Sequence, residues 1–241
     1  MTLLEGPAFV LGAVSGALGG GAGAPAAVAG LGAGTFGALD DLMEESSTTG
    51  TKGLRGHLAA AGRGELTTGV IKIVGLGATG LLSAWVTDRT RASRHPISTI
   101  IGGAVVAGSA NIVNLLDLRP GRALKVVLLL AVPLVADGHG TQRSTAIAGA
   151  AAGAAIGSLA DDLAGRSMLG DTGANSAGAM LGTALVARTG LPGRLLALMA
   201  VTALTLASER VSFTKVIEST PGLRELDRLG RPRRPSSMVM L

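Results

Sequence analysis

A succession of apolar stretches, each near the length of a bilayer crossing, constrains this chain more than any other feature. A hydrocarbon core about 30 Å thick needs roughly 17–25 apolar residues in a helix, and within it every backbone N–H and C=O must be satisfied inside the segment. Runs at 6–22, 25–39, 68–87, 97–113, 123–137, 144–160, 174–190 and 193–208 meet or approach that length. A mean hydropathy of +0.49 with 15% charged residues agrees with a membrane protein. The expected architecture is all-α: a polytopic integral membrane helix bundle of about eight transmembrane helices. Residues 1–210 would form the membrane domain and 211–241 a cytoplasmic amphipathic or disordered tail. The first two runs could also be one long tilted helix, unless Gly19-Gly20-Gly21 and Pro25 make a turn.

Three short polar motifs interrupt the apolar runs: Asp40-Asp41, Asn111-x-x-Asn114-x-x-Asp117 and Gly170-Asp171-Thr172-Gly173. A pair of apolar runs separates each from the next, so an even number of crossings returns the chain to one face, where a shared site can form. Lys52, Arg55, Arg63, Lys72, Arg119, Arg122, Lys125, Arg166 and the C-terminal basic cluster fall on that side, against Arg89, Arg91, Arg94, Arg143, Arg188 and Arg194 on the other. The positive-inside rule then puts the motifs and both termini in the cytoplasm, at the cell membrane.

Composition narrows the chemistry. With no cysteine there is neither a disulfide scaffold nor a thiolate metal site, and three scattered histidines argue against a zinc enzyme. A net charge of +5 suits anionic lipid head groups or phosphate-bearing substrates, and no nucleic-acid-binding module is recognisable. Gly12, Gly16 and Gly20, then Gly149, Gly153 and Gly157, recur at four-residue spacing. Such stripes let helices approach closely, either within one molecule, which we favour, or between copies in a homo-oligomer or pore. No basic n-region precedes the first apolar run, so no secretory signal peptide is expected. The abrupt start at Met1-Thr2-Leu3-Leu4-Glu5 suggests a natural start further upstream, which the intact mass of the native protein would check.

Each motif has an ordinary and a chemical reading. Asp40-Asp41 is either solvated interfacial charge or a place for Mg²⁺, which takes one or two carboxylates and completes its shell with water and phosphate oxygens. Asn111, Asn114 and Asp117, three apart, lie along one side of a helix and either bond a neighbouring helix or a ligand. Gly170-Asp171-Thr172-Gly173 is a turn entering an apolar helix, where Asp171 or Thr172 caps the helix or Asp171 binds a metal.

Taken jointly and in this order, the motifs resemble those of the polyprenyl-phosphate N-acetylhexosamine-1-phosphate transferases, a superfamily that includes phospho-N-acetylmuramoyl-pentapeptide transferase. The resemblance spans roughly residues 6–208 and implies a Mg²⁺-dependent membrane enzyme joining a nucleotide-activated sugar phosphate to a polyprenyl phosphate. It implies catalytic roles for Asp40, Asp41 and Asp117, with Asp171 and Asp41 on the metal. Asn111, Asn114 and Arg166 match further motif positions, while Lys52, Arg119, Arg122 and Lys125 would neutralise phosphate charge and His57 would orient a phosphate. The chain departs from the family where Asp117-Leu118-Arg119-Pro120-Gly121 replaces Asp-Gly-x-Asp-Gly, and where Glu209 to Arg231 replaces a His-rich loop. Those departures motivate an alternative, a non-catalytic lipid-phosphate-binding or scaffolding protein. A solute channel or transporter is a third reading, resting on the glycine-rich runs and the intramembrane asparagines.

Overall fold

The computed structural model describes residues 4–44, 68–89, 95–136 and 140–232, and those residues form helices and connecting turns. Eight longer helices fall on the eight apolar runs: α1 (Glu5–Gly19), α2 (Ala24–Glu44), α3 (Thr68–Asp88), α4 (Pro96–Leu116), α5 (Arg122–Ala136), α6 (Gln142–Leu163), α7 (Gly170–Arg188) and α8 (Leu191–Ser208). Two short ones, α9 (Phe213–Ser219) and α10 (Leu223–Arg228), follow. α1 and α2 are separate helices. Gly21 and Gly23 between them take φ of 83° and 70°, a left-handed conformation that only glycine adopts without strain.

Four of the helices, α3, α4, α6 and α8, are long and apolar enough to cross a membrane. Their outward faces carry large uncovered apolar side chains, among them Leu81 and Leu82 on α3, Ile100 on α4, Ile156 on α6 and Leu196 and Met199 on α8. So much exposed hydrocarbon suits lipid rather than water as the surrounding medium.

The bundle is built around α7, buried along nearly its whole length. It packs against α2 and α4 most extensively and also against α1, α3, α5 and α6. Small residues permit this. A Cβ added at Gly178 would stand 2.3 Å from the Ser109 carbonyl oxygen of α4, and one at Gly37 of α2 would stand 2.2 Å from that of Asp171. The glycine stripes divide: Gly16 of α1 and Gly20 just past its end seat on Ala150 and Ala146 of α6, whereas Gly12 of α1 and Gly149, Gly153 and Gly157 of α6 face open space.

A buried ion pair fastens the end of the bundle opposite the motifs. Arg194 of α8 meets Asp88, the last residue of α3, through two hydrogen bonds of 2.6 and 2.8 Å. The same two terminal nitrogens also donate to the Ser98 carbonyl of α4 at 2.8 Å and the Val186 carbonyl of α7 at 3.0 Å, while Nε is buried without a partner, so one guanidinium joins four helices. Breaking a buried pair on one side strands the other charge and costs about 3–5 kcal/mol. Arg194→Ala should therefore lower the thermal midpoint of the detergent-solubilised protein sharply. The double replacement Asp88→Leu with Arg194→Met should recover much of that loss, read from the same melting curve.

Beyond α8 the chain folds back over the motif-side ends of α5 and α6. Arg122 holds Asp227 with bonds of 2.7 and 3.3 Å and Thr214 with one of 2.9 Å, and Arg231 donates to the Pro120 carbonyl at 2.7 Å. The tail through Arg231 is thus ordered against the bundle, further than the sequence suggests.

Candidate functional site

The site is assembled where α2 ends, α3 begins, α4 ends and α7 begins. α7 opens with free N–H groups, as every helix does, and their partner comes from α2. One Asp41 carboxylate oxygen accepts from Asp171 N–H at 2.9 Å, and the other from Thr172 N–H at 3.0 Å and the Thr172 hydroxyl at 2.7 Å. The anionic cap also complements the positive end of the helix dipole. Capping therefore falls to Asp41 of another helix rather than to Asp171 or Thr172, and it fixes the start of α7 beside Asp40.

Next to this cap, Lys72 reaches across from α3. Its ammonium donates to Asp40 Oδ2 at 2.9 Å and also to Asp171 Oδ2. Asn114 of α4 completes the arrangement, its amide oriented so that Nδ2 donates to Asp171 Oδ1 at 2.8 Å and the oxygen accepts from Lys72 at 3.1 Å. Asn175, one turn along α7, donates to the Asp171 carbonyl at 2.7 Å. Side chains from all three motifs thus meet around one lysine, partly buried and still open to solvent.

Other expected residues lie elsewhere. Asn111 turns toward α8 and donates to Thr205 at 3.4 Å. Asp117, following the last turn of α4, is buried with one carboxylate oxygen lacking any partner. Burial, reinforced by the charges of Asp162 and Glu5, pushes its carboxyl from 3.8 up to about 7. Arg119 pairs with Glu218 at 3.0 Å, and Lys125 donates to the Leu226 and Asp227 carbonyls at 3.0 and 2.7 Å. With Arg122 on Asp227 and Arg166 on Asp161, these four cations are engaged away from the Lys72 cluster. Asp227 answers in kind: burial alone would raise its carboxyl, but Arg122 and Arg231 outweigh that and hold it below its ordinary 3.8. Lys52 and His57 lie outside the described residues.

Lys72 is the residue that sequence reasoning missed, counted only as a marker of orientation. A lone lysine one turn into an apolar helix is expensive without a partner, and that cost was the available signal.

Among the described residues no group of three or more Asp, Glu, His or Cys is arranged to hold a metal ion. The donor set nevertheless has Mg²⁺ chemistry: Asp40 and Asp171 offer hard carboxylate oxygens from two helices, leaving coordination positions for water and phosphate. In this arrangement the cation between those carboxylates is the Lys72 ammonium. Asp41, by contrast, has both oxygens committed to the start of α7, so it is Asp40 that faces Asp171 across Lys72. No protein-family model, characterised protein or solved structure matches this chain.

Two outcomes follow. Asp41→Ala should destabilise the protein by about 1–2 kcal/mol, the usual cost of losing a helix cap, read as a lowered melting midpoint. Asp117, with its folded value raised above the unfolded one, adds stability that is fully present below about pH 4 and is lost as pH rises through about 7. Melting midpoints measured from pH 5 to pH 8 should therefore fall with pH, and Asp117→Asn should flatten that slope.

Proposed function

We propose that this protein is a shortened, divergent relative of the polyprenyl-phosphate sugar-1-phosphate transferases, working at the cytoplasmic face of the cell membrane with all eight long helices in the bilayer. It would move a sugar-1-phosphate from a UDP-sugar to a polyprenyl phosphate, in cell-envelope glycan synthesis. The observation that carries the reading is the meeting of Asp40, Asn114 and Asp171, from three separate motifs, around Lys72.

In the reaction an oxygen of the lipid phosphate attacks the sugar-side phosphorus of the UDP-sugar. The bond from that phosphorus to the bridging oxygen breaks, and UMP leaves with the bridging oxygen. The attacking group is already an anion, so the site needs little general-base strength; its task is to position two polyanions and offset their repulsion. Mg²⁺, held by Asp40 and Asp171, would supply electrophilic stabilisation of the diphosphate. Lys72 stands within reach of the same phosphates and can neutralise charge as it leaves its carboxylates. Asn114 holds Asp171 in place, and Asp41 fixes the turn that carries Asp171.

One observation favours the alternative of a lipid-phosphate-binding or scaffolding protein. Arg119 and Pro120, in the stretch that replaces the family's Asp-Gly-x-Asp-Gly, and Arg122 just after it serve here to dock the C-terminal segment. The two readings separate in an assay of purified protein with undecaprenyl phosphate, Mg²⁺ and a panel of UDP-sugars. Transfer predicts UMP release that falls at least about a hundredfold in Asp171→Asn and in Lys72→Met, as when a charge-stabilising group is lost. A scaffold predicts no release from the unmodified protein, with Mg²⁺-dependent binding of the lipid phosphate retained.

A further inference from the structure

The segment that follows α8 buries charge and exposes hydrocarbon. Across residues 209–231 the one buried residue is Asp227, gripped by Arg122 and Arg231. Val211, Val216, Leu223, Leu226 and Leu229 are 38–66% exposed, and Phe213 and Ile217 are half-buried. On α9, Thr214 and Glu218 stand one turn apart and bond Arg122 of α5 and Arg119 of the turn before it. That face meets the bundle, and Val216 lies on the opposite one. α10 is divided more sharply. At about 100° per residue, Leu223, Leu226 and Leu229 fall within one arc of about 120°, with Arg224, Glu225 and Arg228 in the arc opposite. Asp227 lies between the two arcs, turned to Arg122.

Helices of seven and six residues are too short to hold their shape in water, and large apolar side chains exposed together call for an apolar medium. The position of the segment supplies one. It leaves the end of α8, is pinned to the first turn of α5 by Arg122 and to Pro120 by Arg231, and passes so close to the end of α6 that a Cβ at Gly230 would stand 3.0 Å from Leu163. α6 and α8 are both long and apolar enough to cross a bilayer. A chain fixed between their motif-side ends runs along the boundary where hydrocarbon gives way to head groups. That boundary takes an amphipathic helix lengthwise, apolar side toward the acyl chains and charged side toward the phosphates.

Charge identifies the lipid. Glu218, Glu225 and Asp227 are each paired with an arginine. The exposed Arg210, Lys215 and Arg228 have no carboxylate partner among the described residues. Three such cations at a membrane surface suit anionic head groups.

We propose that residues 209–231 form an interfacial strap in the motif-side leaflet, with Leu223, Leu226 and Leu229 toward the acyl chains and Arg210, Lys215 and Arg228 on the phosphates of anionic lipid. From the functional reading above it takes only the placement of the motif-side helix ends at a bilayer face; sugar-phosphate transfer plays no part in it.

The chain has no cysteine, so a single introduced one carries a spin label without background. Full-length Leu226→Cys and Leu229→Cys are labelled in nanodiscs containing phosphatidylglycerol. Leu196→Cys on the outer face of α8 is the lipid reference and Arg228→Cys the polar-side reference, with melting curves confirming that each variant is folded. Collisions of the label with oxygen, which concentrates in lipid, are compared with those of a water-soluble nickel chelate. At both strap leucines the oxygen-to-nickel ratio should stand well above that at Arg228 and approach that at Leu196. Replacing phosphatidylglycerol by phosphatidylcholine should lower both leucine ratios, and Arg210→Gln with Lys215→Gln should remove that dependence on lipid charge. Nickel-dominated labels at both leucines would place the strap in water and overturn the proposal. Protection from both reagents would mean that protein covers the leucines, and would overturn it equally. Ratios indifferent to lipid charge would overturn the anionic-lipid assignment. A nickel-dominated label at Leu196 as well would remove the bilayer placement and the strap with it. Failure of the transferase reading is distinguishable: absent UMP release with lipid-embedded leucines removes turnover and leaves the strap.

Discussion

The site depends on how the buried start of α7 is satisfied. A helix beginning inside a bundle exposes unpaired N–H groups that a membrane protein cannot leave dry. Asp41 answers them from α2, and Gly37, one turn earlier, lets the two backbones approach closely enough for it to do so. Once that contact is made, Asp40 and Asp171 are neighbours, and two carboxylates close together require a cation. Lys72 supplies it from α3, and Asn114 ties α4 to the same group. Four helix ends are thereby held by one cap and one ionic cluster, while Arg194 and Asp88 clamp the far end of the bundle.

The same geometry separates holding the fold from meeting a substrate. Asp41 has both oxygens occupied by α7 and serves chiefly as an anchor. Asp40, Asp171 and Lys72 satisfy one another but remain open to solvent, so on the proposed reading a phosphate and its divalent ion would exchange with contacts already present. Arg122 and Lys125 belong to a different device: with Arg231 they grip Asp227 and the end of α10 and bring the C-terminal segment onto the motif side. The turn between α4 and α5 is the platform for that docking, which gives Arg119 and Pro120 a structural purpose.

Much of this was legible in the sequence, for physical reasons. Apolar run length set the helix positions, glycines 19–21 and Pro25 marked the break between α1 and α2, and the parity argument brought Asp40, Asp41, Asn114 and Asp171 together. Residue-level roles were less legible. Residues three apart on a helix are rotated by about 60° relative to one another, so Asn111 turns to α8 while Asn114 and Asp117 face the start of α7 at Asp171 and Gly170. Arg122 and Asp227 are 105 residues apart, and nothing local announces their pairing. Lys72 was visible as a charge, but its partners came from α2, α4 and α7, which only the packing reveals.

The central claim is that Lys72 and Asp171 act as one unit that holds the site together. A double-mutant cycle of Lys72→Met and Asp171→Asn, read as thermal stability of the solubilised protein, tests it directly. Residues in contact should show a coupling of about 0.5–3 kcal/mol, with the double variant losing clearly less than the sum of the single ones. Strictly additive losses would mean that the two side chains do not meet in the folded protein, and the account of the site would fail.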